Sequence, residues 1–135
     1  MSNYKPQFKV KATYMRGGTS KGTFFNIADL PKEAQEDPKK RDKLLQRIVG
    51  SPDVYKQQMD GMGGATSSTS KAILVGKSSV PNHDVDYYFC QVAIDKDFVD
   101  MSGNCGNLSS AVGPFAIKEG LVDNVPENGV CCVRI

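Results

Sequence analysis

The residue best placed for chemistry is Cys105, in the segment Gly103-Asn104-Cys105-Gly106-Asn107. Directly after it, Leu108, Ala111, Val112, Phe115 and Ala116 recur at helical spacing. A thiol at the start of a helix sits at the positive end of the helix dipole, which stabilises its thiolate. The unpaired N–H groups of the same helix end bind anions. A buried structural cysteine is the alternative, but flanking glycines offer little apolar cover and favour an electropositive, partly exposed setting. Lys71 comes next, closing the hydroxyl-rich run Gly61 to Ser70. That run offers donors for carboxylate oxygens, yet by composition alone such a stretch reads more simply as a flexible linker, with Lys71 a solvated strand end. The third segment is Arg16-Gly17-Gly18-Thr19-Ser20-Lys21-Gly22. Its glycines permit close backbone approach, and Arg16, Thr19, Ser20 and Lys21 are donors suited to anions. A wide bend between strands explains the composition equally well. The spacing excludes a phosphate-cradling G-x-x-x-x-G-K-[ST] loop.

The remaining reactive side chains have plainer readings. Cys90, Cys131 and Cys132 lie in β-type sequence and read as packing residues. No two cysteines form a C-x-x-C pair, and with His83 as the sole histidine there is no metal-ligand grouping at usable spacing. His83, in Pro81-Asn82-His83-Asp84, reads as a turn residue. Free thiols in a reducing compartment are the expectation for a chain long enough to build a core without staples.

These residues must be positioned by elements that the pattern outlines. Phe8, Val10, Ala12 and Tyr14 alternate with Lys9, Lys11 and Thr13, which predicts a half-buried strand over 8–14. A second strand is expected over 23–27. Asp37-Pro38 reads as an N-cap and first helical residue, Leu44, Leu45, Ile48 and Val49 as one helical face, and Gly50 as a stop. Lys39, Lys40, Arg41 and Lys43 form the solvated side of that helix. Lys71 to Val75 and Tyr87 to Ile94 are β-rich. The helix over 108–117 is expected to be buried around most of its circumference and to kink or shorten at Pro114. Gly120 ends it. Val130 to Ile135 reads as an interior strand without a successor, so the strand order is incomplete.

Composition bounds the partners. The chain has 135 residues, suits one domain, and balances 17 Lys+Arg against 15 Asp+Glu for a net charge of +2. That gives no electrostatic reason to expect nucleic acid or an acidic membrane surface. No apolar run approaches the roughly 18–20 residues that span a bilayer. The first residues lack the pattern of a signal peptide, so a cytoplasmic protein is expected.

Taken together, three segments resemble the PrpF family over essentially the whole chain and in order: Met15 to Gly22, Asp60 to Lys71, and Gly103 to Gly113. The resemblance implies an α+β, diaminopimelate-epimerase-like fold, in which each of two lobes wraps a β-sheet or barrel around a central buried helix. Family members isomerise unsaturated di- and tricarboxylates by moving a proton, without metal or organic cofactor. Members include isomerases of 2-methylaconitate, and relatives act on methylitaconate and oxalomesaconate. By resemblance, Lys71 is the family's acid/base and Cys105 occupies the position of a catalytic cysteine. Arg16, Gly17, Gly18, Thr19, Ser20, Gly64, Ser67, Thr69, Asn104, Gly106 and Asn107 would then contact the substrate. The expected ligand is a small tricarboxylate, with aconitate-type isomerisation in propionate breakdown through the 2-methylcitrate cycle. A homodimer and a functional link to an aconitase-type enzyme are compatible with this. A non-catalytic carboxylate-binding accessory protein for such an enzyme is the alternative.

Full members are much longer. Residues 1–135 are therefore expected to be the N-terminal part of the first lobe, with the second lobe absent and the fragment alone inactive. A free lysine is protonated near neutrality, so acting as a base demands desolvation or cationic neighbours. How the proton transfer divides between Lys71 and Cys105 is left open at this point.

Overall fold

The computed structural model describes residue 7 and residues 9–135. Its framework is a five-stranded mixed sheet in the order β1-β2-β3-β4-β5. The strands are β1 (Thr13–Gly17), β2 (Ser20–Asn26), β3 (Lys71–Lys77), β4 (Val85–Val92) and β5 (Val99–Asp100). All neighbours run antiparallel except β2 and β3, which are parallel, with Thr23 opposite Ala72 and Asn26 opposite Val75. A parallel pair needs a crossover. Here it is supplied by α1 (Lys32–Glu36), α2 (Pro38–Val49) and the loop that follows.

The period of two along each strand sorts side chains onto two faces. Phe24, Ile73, Val75, Val85 and Phe89 pack under α3 (Gly106–Lys118) with Leu108, Ala111, Val112, Phe115 and Ala116. The rings of Phe24 and Phe115 lie 5.5 Å apart, tilted by 50°. On the other face Phe25, Ala72, Leu74, Cys90 and Val92 pack against Leu45 and Val49 of α2. The sheet is thus sandwiched, α3 to one side and α1–α2 to the other.

Local signals hold well for α2. Asp37 accepts from the Lys39 N–H at 2.9 Å, and Gly50 ends the helix at a φ of 93°. Its basic side is solvated, with Lys43 paired to Asp97 and Lys40 to Glu33. For α3 the buried positions are the five expected, but they form a single stripe. Gly106, Asn107, Ser110, Pro114 and Lys118 are exposed, so the helix is buried on one side rather than around most of its circumference. It continues through Pro114, which lies on the exposed side of the helix. Gly120, at a φ of 70°, closes it with the Leu121 N–H bonded to the Ala116 carbonyl and the Gly120 N–H to that of Ile117.

Other expectations shift. The first strand begins only at Thr13, with residues 9–12 outside it and Phe8 outside the described residues. Tyr14 is 45% exposed, because α2 packs on β3 and β4 and leaves that side of β1 uncovered; Met15 faces the core instead. Val130 to Ile135 is not a strand. It is tied to the start of β4 at one point, where the Asp84 and Val85 N–H groups both donate to the Arg134 carbonyl. One anchoring residue makes no ladder, so Cys131 is half-buried and Cys132 exposed rather than packed. His83 lies in a turn as read, its N–H on the Val80 carbonyl. No helix among the described residues is long and apolar enough to cross a membrane.

Candidate active site

Strand parity brings the site together. Ser20 and Gly22 share the face of Phe24, while Lys71 shares that of Ile73, so both strand starts point to the side where α3 begins. There Lys71 Nζ lies 3.3 Å from Cys105 Sγ and 3.1 Å from Ser20 Oγ, with Ser20 Oγ 3.8 Å from the same sulfur. Lys71 Nζ also stands 5.6 Å from the centre of the Phe89 ring, within cation–π range. Three residues remote in sequence thus form one contact triangle of ammonium, hydroxyl and sulfur.

Cys105 is the N-cap of α3, its sulfur accepting from the Leu108 N–H at 3.4 Å. Burial pushes its thiol up, but the Leu108 N–H, the Lys71 and Ser20 contacts and the Lys71 charge outweigh that and hold it below the ordinary value. The electropositive setting is as read from sequence. Partial exposure is not: the residue is only 7% exposed and packs with Leu108 and Phe89 in the core. The glycines flanking it leave its backbone open, while the hairpin and Lys71 cover its side chain. Cys90 is the opposite case, buried on the α2 face and pushed up to about 12, chiefly by desolvation.

The segment from Arg16 to Gly22 is neither a wide bend nor a mobile loop. Arg16 and Gly17 complete β1, Ser20 to Gly22 open β2, and the turn is only Gly18-Thr19 between the paired Gly17 and Ser20. Positive φ at Gly18 (53°) but not at Thr19 is the type II′ pattern. The hairpin lies directly on the first turn of α3. A Cβ on Gly17 would strike the Asn107 carbonyl oxygen, and one on Gly18 the Asn107 side-chain oxygen. Asn107 Nδ2 donates to Thr19 Oγ1 at 3.0 Å. These contacts fix Ser20 beside Cys105.

The expected substrate-contacting residues therefore divide. Thr19, Asn104, Gly106 and Asn107 are exposed around the buried thiol. Helix geometry leaves the first N–H groups there, including those of Gly106 and Asn107, without intrahelical partners. Asn104 Oδ1 is engaged by the Cys105 N–H at 2.8 Å. Ser20 is 2% exposed and touches Lys71, so it acts beneath the surface rather than at it. Arg16 is exposed and turned back on its own hairpin, donating to the Gly18 carbonyl at 3.4 Å. Gly64, Ser67 and Thr69 belong to the neighbouring loop. Gly64 N–H donates to the Thr69 carbonyl at 3.3 Å, and the Ser67 carbonyl accepts from Gln91 at 3.0 Å.

That loop is no free linker. Gln58, 1% exposed, donates from Nε2 to Ser51 Oγ at 2.9 Å and to Ser70 Oγ at 2.7 Å, and accepts the Ala65 N–H at 2.8 Å. Its amide hydrogens and an acceptor site are all used, which offsets the cost of burying it. Ser70 Oγ passes the connection to the Val92 carbonyl at 2.6 Å, so the residue before Lys71 is held from both sides. Asp53 holds the other end, accepting the Tyr55, Gln57 and Gln58 N–H groups, which keep its carboxyl below the usual range. Sequence reading missed Gln58, since nothing local marks a glutamine in polar sequence as buried. It also missed Tyr87 and Phe89, which share the parity of Cys105's neighbours and were findable from it. The Tyr87 hydroxyl is buried with no hydrogen-bond partner among the described residues, and burial, then the nearby Cys105 charge, push its phenol up.

The mixed sheet thus sets an ammonium, a hydroxyl and a helix-capping thiol in mutual contact, groups whose chemistry is anion binding and proton transfer. The chain belongs to the PrpF protein family, which matches residues 7–135. It is 64% identical to the 2-methyl-aconitate isomerase of Shewanella oneidensis, over 100% of this chain and 35% of that protein. It is 49% identical to the 3-methylitaconate isomerase of Eubacterium barkeri, over 93% of this chain and 32% of that protein. The crystal structure of a methylitaconate-delta-isomerase superposes with a TM-score of 0.77 at 50% identity, covering 86% of this chain and 28% of the other. The chain therefore spans about a third of the length of the curated relatives it matches.

Proposed function

We propose that the chain is the N-terminal part of the first lobe of a two-lobed, epimerase-like isomerase that acts on unsaturated tricarboxylates of the 2-methylaconitate type. The observation that carries this reading is the Lys71–Cys105 contact of 3.3 Å at the start of α3. Removing a proton from carbon beside a carboxylate makes a delocalised, enolate-like anion, which preorganised N–H donors stabilise. The α3 N–H groups and the Lys71 ammonium provide such donors. Thiolate with ammonium and thiol with amine differ by one proton moved along the same contact. The pair can therefore take a proton from one carbon of an allylic system and return one to another. No redox change is involved in that transfer.

In this reading Thr19, Asn104, Gly106 and Asn107 meet the carboxylates, Ser20 holds Lys71 against the thiol, and a second lobe closes the cleft and excludes water. Wrapping of the sheet around α3 would cover the side of that helix now exposed. The reaction would belong to cytoplasmic propionate breakdown, supported by identity to the Shewanella isomerase. The test is isomerisation in deuterium oxide by the full-length protein. Solvent deuterium in recovered substrate and product is expected, and its loss in Lys71→Ala. Tight binding of the acid without exchange would instead make the protein a carboxylate-binding accessory.

A further inference from the structure

A thiolate beside an ammonium does more than shuttle protons when the ligand carries an electron-poor double bond. We propose that Cys105 is a covalent capture site for α,β-unsaturated dicarboxylates, with Lys71 supplying the proton that completes the addition. This rests on the functional reading above only for the ligand class. The reactive pair itself is geometric: sulfur 3.3 Å from Lys71 Nζ and capped by the Leu108 N–H at 3.4 Å.

The step balances without any oxidant. The sulfur lone pair forms a bond to the β-carbon, the π pair moves to the α-carbon, and Lys71 delivers a proton there. The product is a thioether, and Lys71 regains its proton from water. The donor stands on the same side of the sulfur as Ser20, so the proton source and nucleophile reach one small ligand together. A hollow of about 300 Å³ lined by Tyr87, Tyr88, Phe89, Met101, Gly103 and Asn104 reaches the immediate neighbours of the pair: Phe89, over which Lys71 Nζ lies, and Asn104, next to Cys105 in the chain. Cationic charge and free helix N–H groups around the sulfur favour an anionic alkene over a neutral one.

The same surroundings set the order among the cysteines. Cys132 is exposed and would react first if access decided the outcome. Cys105 is nearly enclosed, and reacts first only if thiolate character and anion binding decide it.

The probe is maleate, which has no allylic C–H and so cannot undergo the allylic proton transfer proposed above. The full-length protein is incubated with maleate near neutral pH, and adducts are located by intact mass and peptide mapping. One maleate on Cys105 is expected, formed at least about tenfold faster than on Cys132, because thiolate character and anion binding act together there. With neutral acrylamide the preference for Cys105 should shrink. Lys71→Arg keeps the charge but cannot release a proton at neutrality. It should retain iodoacetamide labelling of Cys105, a displacement that needs no proton, and lose the maleate adduct. A maleate adduct on Cys132 at equal or greater rate, or no adduct on Cys105, would overturn the proposal. Full adduct formation in Lys71→Arg would overturn the role of Lys71. Deuterium exchange without an adduct sinks capture alone, whereas an adduct without exchange sinks the isomerase reading alone.

Discussion

Two helices begin against opposite faces of one sheet, and each spends its first residue differently. At α2 the cap is Asp37, a strong acceptor 2.9 Å from the Lys39 N–H, followed by Pro38 with its preset φ. At α3 the cap is Cys105, whose sulfur takes the Leu108 N–H at 3.4 Å. Sulfur is a weak acceptor, so the second helix gives up capping strength and gains a reactive atom at its positive end. On the proposed function, the α2 start serves stability and the α3 start serves chemistry. The rest of the molecule agrees: α2 faces the inert Cys90, while α3 faces Lys71 and Ser20.

The largest way to test that contrast is the reactivity of the thiols on the two faces. Iodoacetamide labelling of Cys105 should inflect below 9.0, the ordinary thiol value, whereas Cys90 stays protonated until about 12. At neutral pH the thiolate fractions should differ by at least about 10³-fold. Comparable labelling of both in the folded protein would remove the distinction. The sign for stability follows. A depressed thiol contributes stability above its unfolded value, and that contribution is lost as pH falls through the folded one.

Activity should separate the faces next. In the full-length protein Lys71→Ala is expected to lower the isomerisation rate by about 10²–10⁴-fold, the usual weight of a positioned acid or base. Asp37→Ala should leave the rate of folded protein unchanged. Stopped assays on both variants would show at once whether α2 influences turnover.

Packing gives a smaller effect. Gly17→Ala places a methyl against the Asn107 carbonyl and within 2.9 Å of Leu108 Cα, forcing the hairpin off α3. A loss of about 1–3 kcal/mol is expected in denaturant unfolding, along with a rise in the Cys105 labelling inflection as Ser20 and Lys71 withdraw. A stability loss with unchanged labelling would mean that the hairpin does not position the site.

The caps themselves give the smallest effect. Asp37→Ala should cost about 1 kcal/mol. Cys105→Ser, which installs a better cap, should raise or preserve the thermal midpoint while removing all thiolate chemistry. A midpoint lowered by Cys105→Ser as much as by Asp37→Ala would make Cys105 an ordinary structural cap.

What could be read from sequence follows the range of each interaction. Asp37, Pro38 and Gly50 bound α2 through contacts within a few residues, so its ends were legible. The stripe from Leu108 to Ala116 marked α3 for the same reason, though not that its other side is open. The triple motif singled out Lys71 and Cys105 but not their contact with each other or with Ser20, the last of which depends on a parallel pairing of β2 with β3 that no local pattern encodes. The Gly18-Thr19 turn was hidden because two glycines suit a loose bend as well as a tight hairpin, and the ladder from Arg16–Lys21 decides it. Gln58 was invisible because its meaning lies entirely in Ser51, Ala65 and Ser70.

The sequence distances inside the contact triangle carry a kinetic consequence. Ser20 and Lys71 are 51 positions apart, Lys71 and Cys105 are 34 apart, and Ser20 and Cys105 are 85 apart. Each contact closes a long chain loop, and such closures come late because their entropy must be met before they are rewarded. The hairpin and both helices can form earlier from local contacts. The lowered acidity range of Cys105 should therefore appear only at the last stage of folding. Pulse-alkylation during refolding would read the moment at which the chain becomes chemically competent, separately from the moment at which it becomes compact.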